Sequence, residues 1–287
     1  MGERLYRAGL ILEGGGMRGV YTAGVLDCFL DEGLFFDRCY GVSAGACQAC
    51  SYLSRQRDRG RATAMDYLRD RRCASLWSLR RTGDYFGAAF LYDLLPNEIY
   101  PYDYDAFRAY AGTFYAVVTD CETGAAEYRP VRDMRSDIVY VRASSSLPLL
   151  SRMVEADGRR YLDGGIADSI PLRRAEADGR EKNVVVLTRA RDYRKGKNRA
   201  MFAIRRRYSD YPRLVEAVET RHLRYNETLE LIREREAAGR AFVIAPTAPV
   251  KIGRLEKNRD RLWALYRAGY RDAARLMPAL RRFLADC

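Results

Sequence analysis

The first residue that could act as a nucleophile is a serine between two glycines. It lies in the sequence Gly41-Val42-Ser43-Ala44-Gly45, which follows a short apolar run and precedes small residues. In a G-x-S-x-G nucleophile elbow, a sharp turn between a strand and a helix exposes the serine hydroxyl for attack on a carbonyl carbon. Small residues are common in such turns, so this motif alone leaves Ser43 open between a nucleophile and an ordinary turn serine.

A glycine-rich turn at 14–19, with the sequence GGGMRG, precedes this serine. Its spacing fits the G-x-G-x-x-G fingerprint of dinucleotide-binding proteins, in which an acidic residue at the end of the second strand holds the ribose. Here the second predicted strand leads directly into Ser43, and Asp37 lies before that strand. A nicotinamide or flavin oxidoreductase is therefore an alternative, but the sequence lacks the acidic residue that would hold the ribose of the dinucleotide.

The same turn has another chemical use beside a nucleophile. A glycine-rich turn at the start of a helix presents backbone N–H groups that can hold a developing negative charge. Because the turn and Ser43 follow successive predicted strands, we expect them to meet at one edge of a sheet. The two motifs together indicate an acyl-transfer site with an oxyanion hole.

A serine hydrolase also needs a group that accepts the serine proton, and histidine is the usual base. The chain has one histidine, and the order Ser43, Asp163, His222 matches that of the α/β-hydrolases. However, His222 is flanked by Arg221 and Arg224 within a long helical pattern, whereas the histidine of a triad normally lies on a loop. We therefore predict that His222 is a solvated or helix-packing residue.

Asp163 is the other candidate for the base, at the start of the sequence Asp163-Gly164-Gly165. Taken alone, an aspartate followed by two glycines is typical of an ordinary turn. Aspartate is also a weak base for a serine. It needs a short hydrogen bond, burial that raises its pKa, or strong stabilisation of the oxyanion.

Alternating apolar runs and helical patterns predict the elements that position these residues. Strands are predicted at 8–12, 39–42, 113–119, 125–128, 159–162, 184–187 and 241–245, and helices at 19–30, 44–54, 133–145, 211–240 and 254–283. A basic loop is predicted at 189–207. This order predicts an α/β fold with three α/β/α layers and a mainly parallel central sheet.

Taken together, the motifs resemble those of the patatin-like phospholipases. The shared features are the G-G-G-x-R-G turn, the G-x-S-x-G elbow and the D-G-G sequence at 163–165. The segments 143–149 and 168–172 resemble the sequences on either side of the last motif in that family. The resemblance covers 8–175, and the tail at 242–273 is similar to the C-terminal part of a bacterial branch of the family.

The resemblance implies a patatin-like fold and an acyl hydrolase that works through a Ser-Asp dyad, without a metal ion or another cofactor. Ser43 corresponds to the nucleophile and Asp163 to the base. The main oxyanion donors would be the N–H groups of Gly15 and Gly16, and Arg18 matches the family's basic position beside the hole. The residues implied at the hole are Gly14, Gly15, Gly16, Met17, Arg18 and Gly19.

The distribution of charge divides the chain at about the end of this resemblance. Residues 1–181 carry 24 basic and 26 acidic groups, whereas 182–287 carry 26 basic and 12 acidic groups. We expect 8–175 to form the catalytic region and 176–287 to form a basic, mostly helical region packed on the same core. The excess of positive charge fits either a solvated, Arg-rich surface or contact with a polyanion, such as peripheral contact with an anionic membrane surface.

The alternative class of function is a non-catalytic protein that binds nucleic acid or an anionic surface through the basic C-terminal region. The sequence contains no recognisable nucleic-acid-binding motif, so a nucleic-acid partner is not expected. A binding module would also have no need of a nucleophile, an acid and an oxyanion turn together. The expected partner is a lipid or another acyl-ester substrate.

An aromatic-rich segment at 77–110 separates the elbow helix from the next predicted strand, with ten aromatic rings between Trp77 and Tyr110. Large apolar rings can form the wall or lid of a channel for an acyl chain. They can equally fill the core under a long connection. The sequence leaves both interpretations open.

The seven cysteines are an odd number and scattered, which fits reduced packing thiols. Cys47 and Cys50 form a C-x-x-C pair with no second pair or nearby histidine, so we predict neither a metal site nor a redox site there. The sequence contains no apolar run of about 20 residues and no apolar region of the signal-peptide type. We therefore expect a cytoplasmic protein, at most peripheral to a membrane.

Overall fold

The computed structural model describes residues 4–287, and within them eight strands form one sheet. The strands are β1 (Leu5–Leu12), β2 (Phe35–Val42), β3 (Thr113–Asp120), β4 (Ala126–Val131), β5 (Val154–Ala156), β6 (Arg159–Asp163), β7 (Asn183–Val186) and β8 (Ala241–Ile244). Their spatial order is β5-β6-β3-β2-β1-β7-β8, and β4 pairs with β3.

Helices connect most of these strands. The α-helices are α1 (Gly19–Asp31), α2 (Ala44–Leu53), α3 (Arg59–Met65), α4 (Leu76–Thr82), α5 (Tyr104–Arg108), α6 (Met134–Ser144), α7 (Leu172–Ala177), α8 (Met201–Arg207), α9 (Pro212–Ala237) and α10 (Arg259–Phe283). A π-helix spans Phe90–Ile99, and short 3₁₀ turns span Gly16–Arg18 and Gly164–Ile166.

The centre of the sheet is parallel and one end is antiparallel. β2 runs parallel to β1 and β3, and β7 runs parallel to β1 and β8. β4 and β6 both run antiparallel to β3, and β5 runs antiparallel to β6. The predicted mainly parallel sheet is confirmed, and its parallel centre brings the carboxyl ends of β1 and β2 to the same edge.

Helices cover both faces of the sheet. On β1, Leu10 and Leu12 point into a core shared with α1, α2, α6 and α10, whereas Ile11 points into a core shared with α7 and α9. This alternation is the period of two that a strand buried on both faces requires. The predicted three-layer α/β/α architecture is therefore confirmed.

The residues beyond 176 contribute to the same sheet. β7 and β8 extend it past β1, and α10 packs against α1 on one face. Two buried hydrogen bonds join these helices. Tyr21 donates to Asp272 at 2.9 Å, and Tyr266 donates to Asp27 at 2.7 Å.

The predicted basic loop at 189–207 is wrong in its second half, where α8 forms. Three consecutive arginines, 205–207, hide the helical pattern, because Ile204 is the one residue of α8 that is fully buried. A single apolar anchor in a seven-residue helix gives no detectable periodicity.

In the aromatic segment 77–110, some rings fill the core and others line a cavity. Phe90, Phe107 and Tyr110 are buried in the core, whereas Phe86, Tyr92, Tyr102 and Tyr104 are among the residues that line a cavity next to Ser43.

No helix within residues 4–287 has the length and apolar character that crossing a bilayer requires.

Candidate active site

Ser43 occupies the turn between β2 and α2 with φ 54° and ψ −123°, and it is 6% exposed. A positive φ is unfavourable for a residue with a side chain and persists only where the surroundings fix it. Here the Ser43 N–H donates to the Ser144 hydroxyl at 2.8 Å, and the Ser43 carbonyl accepts the N–H of Ala46 at 2.9 Å. These two hydrogen bonds fix the backbone on both sides of the turn, and the turn presents the Ser43 hydroxyl at the start of α2.

The glycine that follows this serine allows α2 to approach β1 closely. A Cβ atom on Gly45 would lie 2.3 Å from the carbonyl oxygen of Leu12, a distance that real Cβ atoms do not adopt. The last glycine of the G-x-S-x-G motif is thus required because the start of α2 packs closely on β1.

Asp163 ends β6 and begins a 3₁₀ turn, and it is 2% exposed. One carboxylate oxygen, Oδ1, accepts the Gly165 N–H at 2.8 Å, whereas Oδ2 has no hydrogen-bond partner within the described chain. Burial raises the pKa of Asp163 above its ordinary value. The nearby Arg221 guanidinium, the Ser43 side chain and the Gly165 N–H lower this pKa, but burial dominates.

Residues at and just after the end of α6 accept hydrogen bonds from the backbone N–H groups of both Ser43 and Asp163. Ser144 accepts the Ser43 N–H through its hydroxyl, and the carbonyl of Ser146 accepts the Asp163 N–H at 2.8 Å. The sequence drew attention to this serine run only as a resemblance. The signal that could have identified Ser144 is a polar residue among small residues at the buried end of a helix.

The glycine-rich turn lies against this serine. A Cβ atom on Gly14 would be 2.9 Å from the Ser43 Cβ, so the two backbones are in direct proximity. Gly16 has a φ of +57°, a conformation that a larger residue would adopt only with strain. The N–H groups of Gly14, Gly15 and Gly16 donate to no other group among residues 4–287, and they border the cavity that contains Ser43 and Asp163.

The other three N–H groups of the turn are already used. The Met17 N–H donates to the carbonyl of Arg254 at 3.1 Å, and the Arg18 N–H donates to the carbonyl of Gly15 at 3.3 Å. The Gly19 N–H bonds back to carbonyls within the 3₁₀ turn. Met17, which the resemblance implied as a candidate donor, is therefore not a free backbone donor, and the N–H groups of Arg18 and Gly19 are satisfied within the turn.

Ser43 borders an apolar cavity of about 190 Å³ that lies between α1, α2, α3, α6 and the π-helix. Its walls are mainly hydrocarbon and aromatic groups, including Val20, Leu68, Leu91 and Ile138. A space of this kind accepts an apolar ligand.

A smaller, polar cavity of about 20 Å³ meets the first at Ser43, Gly16 and Leu147. Asp163 and the glycine-rich turn form part of its wall. Four cationic residues that the motifs did not identify also line it, namely Arg189, Lys195, Arg221 and Arg254.

His222 lies on α9 as predicted, and it lines neither cavity. Its Nδ1 atom is 3.0 Å from the carbonyl oxygen of Glu219, one turn earlier on the same helix. The geometry therefore brings Asp163, and not His222, to the serine.

Cys47 and Cys50 both lie on α2 beside the apolar cavity. The Cys47 thiol is 3.8 Å from the Tyr92 hydroxyl, and the Cys50 thiol is 3.2 Å from the carbonyl of Ala46. Burial raises the pKa of both thiols, which keeps them protonated. In the part of the chain described, no three metal-ligating side chains converge on one point.

Comparisons with known proteins match the sequence of this chain to a family. Residues 10–176 match the sequence model of the patatin-like phospholipase family. Residues 211–285 match the model of a domain of unknown function, DUF6363. The uncharacterized protein YjjU of Escherichia coli (strain K12) is 33% identical over 188 residues, which are 63% of this chain and 52% of that protein. The chain thus spans about half the length of this curated relative.

The crystal structure of VipD from Legionella pneumophila superposes on this chain with a TM-score of 0.47 and 12% sequence identity, over 96% of this chain and 68% of VipD. The family match at 10–176 includes the glycine-rich turn, Ser43 and Asp163, and it covers more than half of the 287 residues. The chain belongs to the patatin-like phospholipase family.

Proposed function

We propose that the chain is a carboxylic ester hydrolase of the phospholipase A or lysophospholipase type, with Ser43 as nucleophile and Asp163 as general base. One observation carries the proposal. Ser43 lies where a buried carboxylate, three unpaired N–H groups and an apolar cavity meet. An ester carbonyl placed at Ser43 would have its oxygen beside the glycine-rich turn and its acyl chain in the cavity.

In the first half of the reaction, the Ser43 Oγ atom attacks the carbonyl carbon and its proton passes to the Asp163 carboxylate. The N–H groups of Gly15 and Gly16, with that of Gly14, hold the negative charge that forms on the carbonyl oxygen. When the tetrahedral intermediate collapses, the ester C–O bond breaks. The leaving alcohol takes the proton from Asp163, and the acyl group stays on Ser43.

In the second half, water attacks the acyl carbon and gives a proton to Asp163. The bond between the acyl carbon and Ser43 Oγ breaks, the proton returns to the serine, and the fatty acid leaves. The raised pKa of Asp163 supports this role, because a more basic carboxylate is a better match for a serine proton.

The apolar cavity should bind the acyl chain, and narrowing it should change chain-length preference. Ala64 lies on α3, is half-buried and lines this cavity. We expect Ala64→Trp to lower the ratio of kcat/KM for p-nitrophenyl palmitate to that for p-nitrophenyl butyrate by about tenfold, since the indole occupies space that a long chain needs. Ala237→Trp, at an exposed position on α9, is the control. An unchanged ratio in Ala64→Trp would place the acyl chain elsewhere.

Removing the histidine should leave catalysis intact. We expect His222→Ala to change kcat/KM for p-nitrophenyl butyrate by less than about twofold, because His222 bonds only within its own helix. Stopped-assay kinetics on the two purified proteins measure the effect. A loss of about a thousandfold or more would instead restore the Ser-Asp-His triad that the residue order allows.

The segment 71–99, several residues of which line the apolar cavity, supports peripheral contact with a membrane as part of this proposal. Leu76, Trp77 and Ile99 are exposed large apolar residues in this region. The Arg71 guanidinium stacks on the Trp77 ring at 4.6 Å, which places positive charge beside exposed apolar surface. Such a combination suits an anionic lipid surface.

The test of the proposed function is release of fatty acid from long-chain acyl esters by the purified chain. Wild-type protein should hydrolyse p-nitrophenyl palmitate in mixed micelles, and Ser43→Ala should not. If wild-type protein cleaves neither p-nitrophenyl palmitate nor p-nitrophenyl butyrate, the proposed function is wrong.

A further inference from the structure

The apolar cavity beside Ser43 follows helix α2 from its start towards its end. The α2 residues in its lining recur at helical spacing, namely Ala44, Cys47, Gln48, Cys50 and Ser51. Cys50 lies seven residues after Ser43, so a rise of about 1.5 Å per residue places it about 10 Å from the nucleophile along the helix axis. An acyl chain that extends from Ser43 along this cavity therefore reaches the residues around the end of α2.

A buried arginine lies beside that end of the helix. Arg59, the first residue of α3, lines the cavity and is 3% exposed. Its guanidinium carbon is 5.2 Å from the centre of the Tyr102 ring, and the Tyr102 hydroxyl donates to the Cys50 carbonyl at 2.8 Å. These contacts place the positive charge of Arg59 near the last turn of α2, at the opposite end of the helix from Ser43.

One of the three nitrogen atoms of this guanidinium has hydrogen-bond partners among residues 4–287. The Nη1 atom donates to the carbonyl oxygens of Tyr100 and Pro101 at 2.6 Å and 2.9 Å, whereas Nε and Nη2 donate to no group in this part of the chain. Burial lowers the pKa of Arg59, and the groups that oppose this shift are tyrosines and the Cys50 thiol, not carboxylates. Arg59 thus carries a buried positive charge that no carboxylate of the described residues neutralises.

The arginines two positions before and after Arg59 show what its remaining edge can bind. Arg57 donates through Nε and Nη2 to the two carboxylate oxygens of Asp31, at 2.7 Å and 3.0 Å. Arg61 uses the same two atoms to bind both carboxylate oxygens of Asp58. In this paired geometry a guanidinium and a carboxylate match closely. Of these three arginines, Arg59 lines the cavity and lacks such a partner within residues 4–287.

A second hydrogen-bond donor lies at the same end of the cavity. The side chains of Gln48, Thr63 and Tyr102, which also line it, donate to backbone carbonyls. Ser51 is 7% exposed and lines the cavity, and its hydroxyl makes no hydrogen bond within the described part of the chain. The Ser51 hydroxyl and the Nε–Nη2 edge of Arg59 are therefore left as donors for a ligand.

We propose that Arg59 and Ser51 bind a carboxylate at the far end of the acyl chain, so that the enzyme prefers esters of linear dicarboxylic acids of medium length. The ester carbonyl would lie at Ser43, the hydrocarbon part along the apolar walls, and the terminal carboxylate against the guanidinium edge. A fully apolar chain leaves the buried charge of Arg59 uncompensated, whereas a carboxylate pairs with it. This inference rests on the proposed function, because it specifies the acyl group that is transferred to Ser43.

The test compares two esters that differ at the far end of the acyl chain. One is the mono-p-nitrophenyl ester of azelaic acid, which ends in a free carboxylate, and the other is the same ester with that carboxyl group methylated. We expect wild-type kcat/KM to be at least about tenfold higher for the carboxylate-ended ester. In Arg59→Met, which keeps an unbranched side chain but removes the charge, this ratio should fall at least about tenfold. Arg69→Met removes a charge from an exposed position outside the cavity lining and should keep the wild-type ratio.

A second variant separates recognition of the substrate from packing, since Arg59 also holds the carbonyls of Tyr100 and Pro101. Arg59→Lys keeps the charge but lacks the fork of donors, so its ratio should lie between those of wild type and Arg59→Met. If Arg59 serves packing alone, both variants should lower kcat/KM for the two esters by the same factor. Such an unchanged ratio, or a wild-type ratio of one or less, would overturn the inference.

The inference and the proposed function fail in different ways. If wild-type protein cleaves p-nitrophenyl palmitate but neither azelate ester, the inference is wrong and the proposed function stands. If it cleaves none of these esters, the proposed function fails, and calorimetric binding of monomethyl azelate and dimethyl azelate decides the inference. Tighter binding of monomethyl azelate that is weakened in Arg59→Met would support the carboxylate site, whereas equal binding of the two would overturn it.

Discussion

Replacing Ser43 by alanine is expected to lower kcat for ester hydrolysis by about 10⁴- to 10⁶-fold, the range found when a serine hydrolase loses its nucleophile. The fold should survive, because alanine keeps the Cβ atom, and the Ser43 backbone bonds to Ser144 and Ala46 do not involve its hydroxyl. Initial rates of palmitate release by the two proteins measure the change.

Two observations make the Ser43→Ala result interpretable. Thermal unfolding of the variant should match that of wild type within a few degrees, which excludes a loss of structure. Ser136→Ala, at an exposed position on α6, should retain full activity. If Ser43→Ala loses less than about tenfold in kcat, another residue is the nucleophile.

Replacing Asp163 by asparagine should be the second most damaging change, with a loss in kcat of about 10³- to 10⁴-fold. Asparagine keeps the size of the side chain and an oxygen that can accept the Gly165 N–H, but it cannot take the serine proton. Kinetics over a range of pH measure the effect. A loss of less than about tenfold would show that Asp163 is not the base.

The pH dependence of the wild-type enzyme should report the same carboxylate. Burial raises the pKa of Asp163, so the ionised base forms only above that raised value, and kcat/KM should fall as pH decreases through it. His222→Ala should keep this acidic limb unchanged. An acidic limb that moves or disappears in His222→Ala would assign the base to the histidine.

Stability should depend on Asp163 in the opposite direction from activity. The pKa of this group is higher in the folded than in the unfolded chain, so folding binds protons as pH falls, and the ionised form opposes folding at neutral pH. The free energy of unfolding of Asp163→Asn minus that of wild type should therefore be larger, in the direction of a more stable variant, at neutral pH than below the ordinary pKa of aspartate.

The fold could be predicted where apolar patterns are long. The runs that became β1, β7 and β8 are continuous and buried on both faces, and α9 and α10 are long enough for periodicity to show. Short elements gave no such signal. β5 has three residues, and α3 has seven, of which two are arginine, two are alanine and one is glycine.

The central part of the site could be predicted because its chemistry is written in local motifs. The turn around Ser43 and the unpaired N–H groups follow from residues that are neighbours in sequence. The hydrogen bond from the Met17 N–H to the Arg254 carbonyl, which leaves this N–H unavailable to an oxyanion, could not be predicted because Arg254 is far along the chain. The same holds for Lys195 and Arg221, which only the tertiary fold brings to the cavity.

Reaction with a fluorophosphonate, read by intact mass and then by peptide mapping, tests the central claim most directly. This reagent bonds covalently to an activated serine and does not require that the natural substrate be known. We predict one adduct, on Ser43, in wild-type protein and in His222→Ala, with no adduct in Ser43→Ala and much slower labelling in Asp163→Asn. An adduct on another residue, or an unmodified Ser43 in a protein that hydrolyses esters, would contradict the assignment of Ser43 and Asp163 as the catalytic pair.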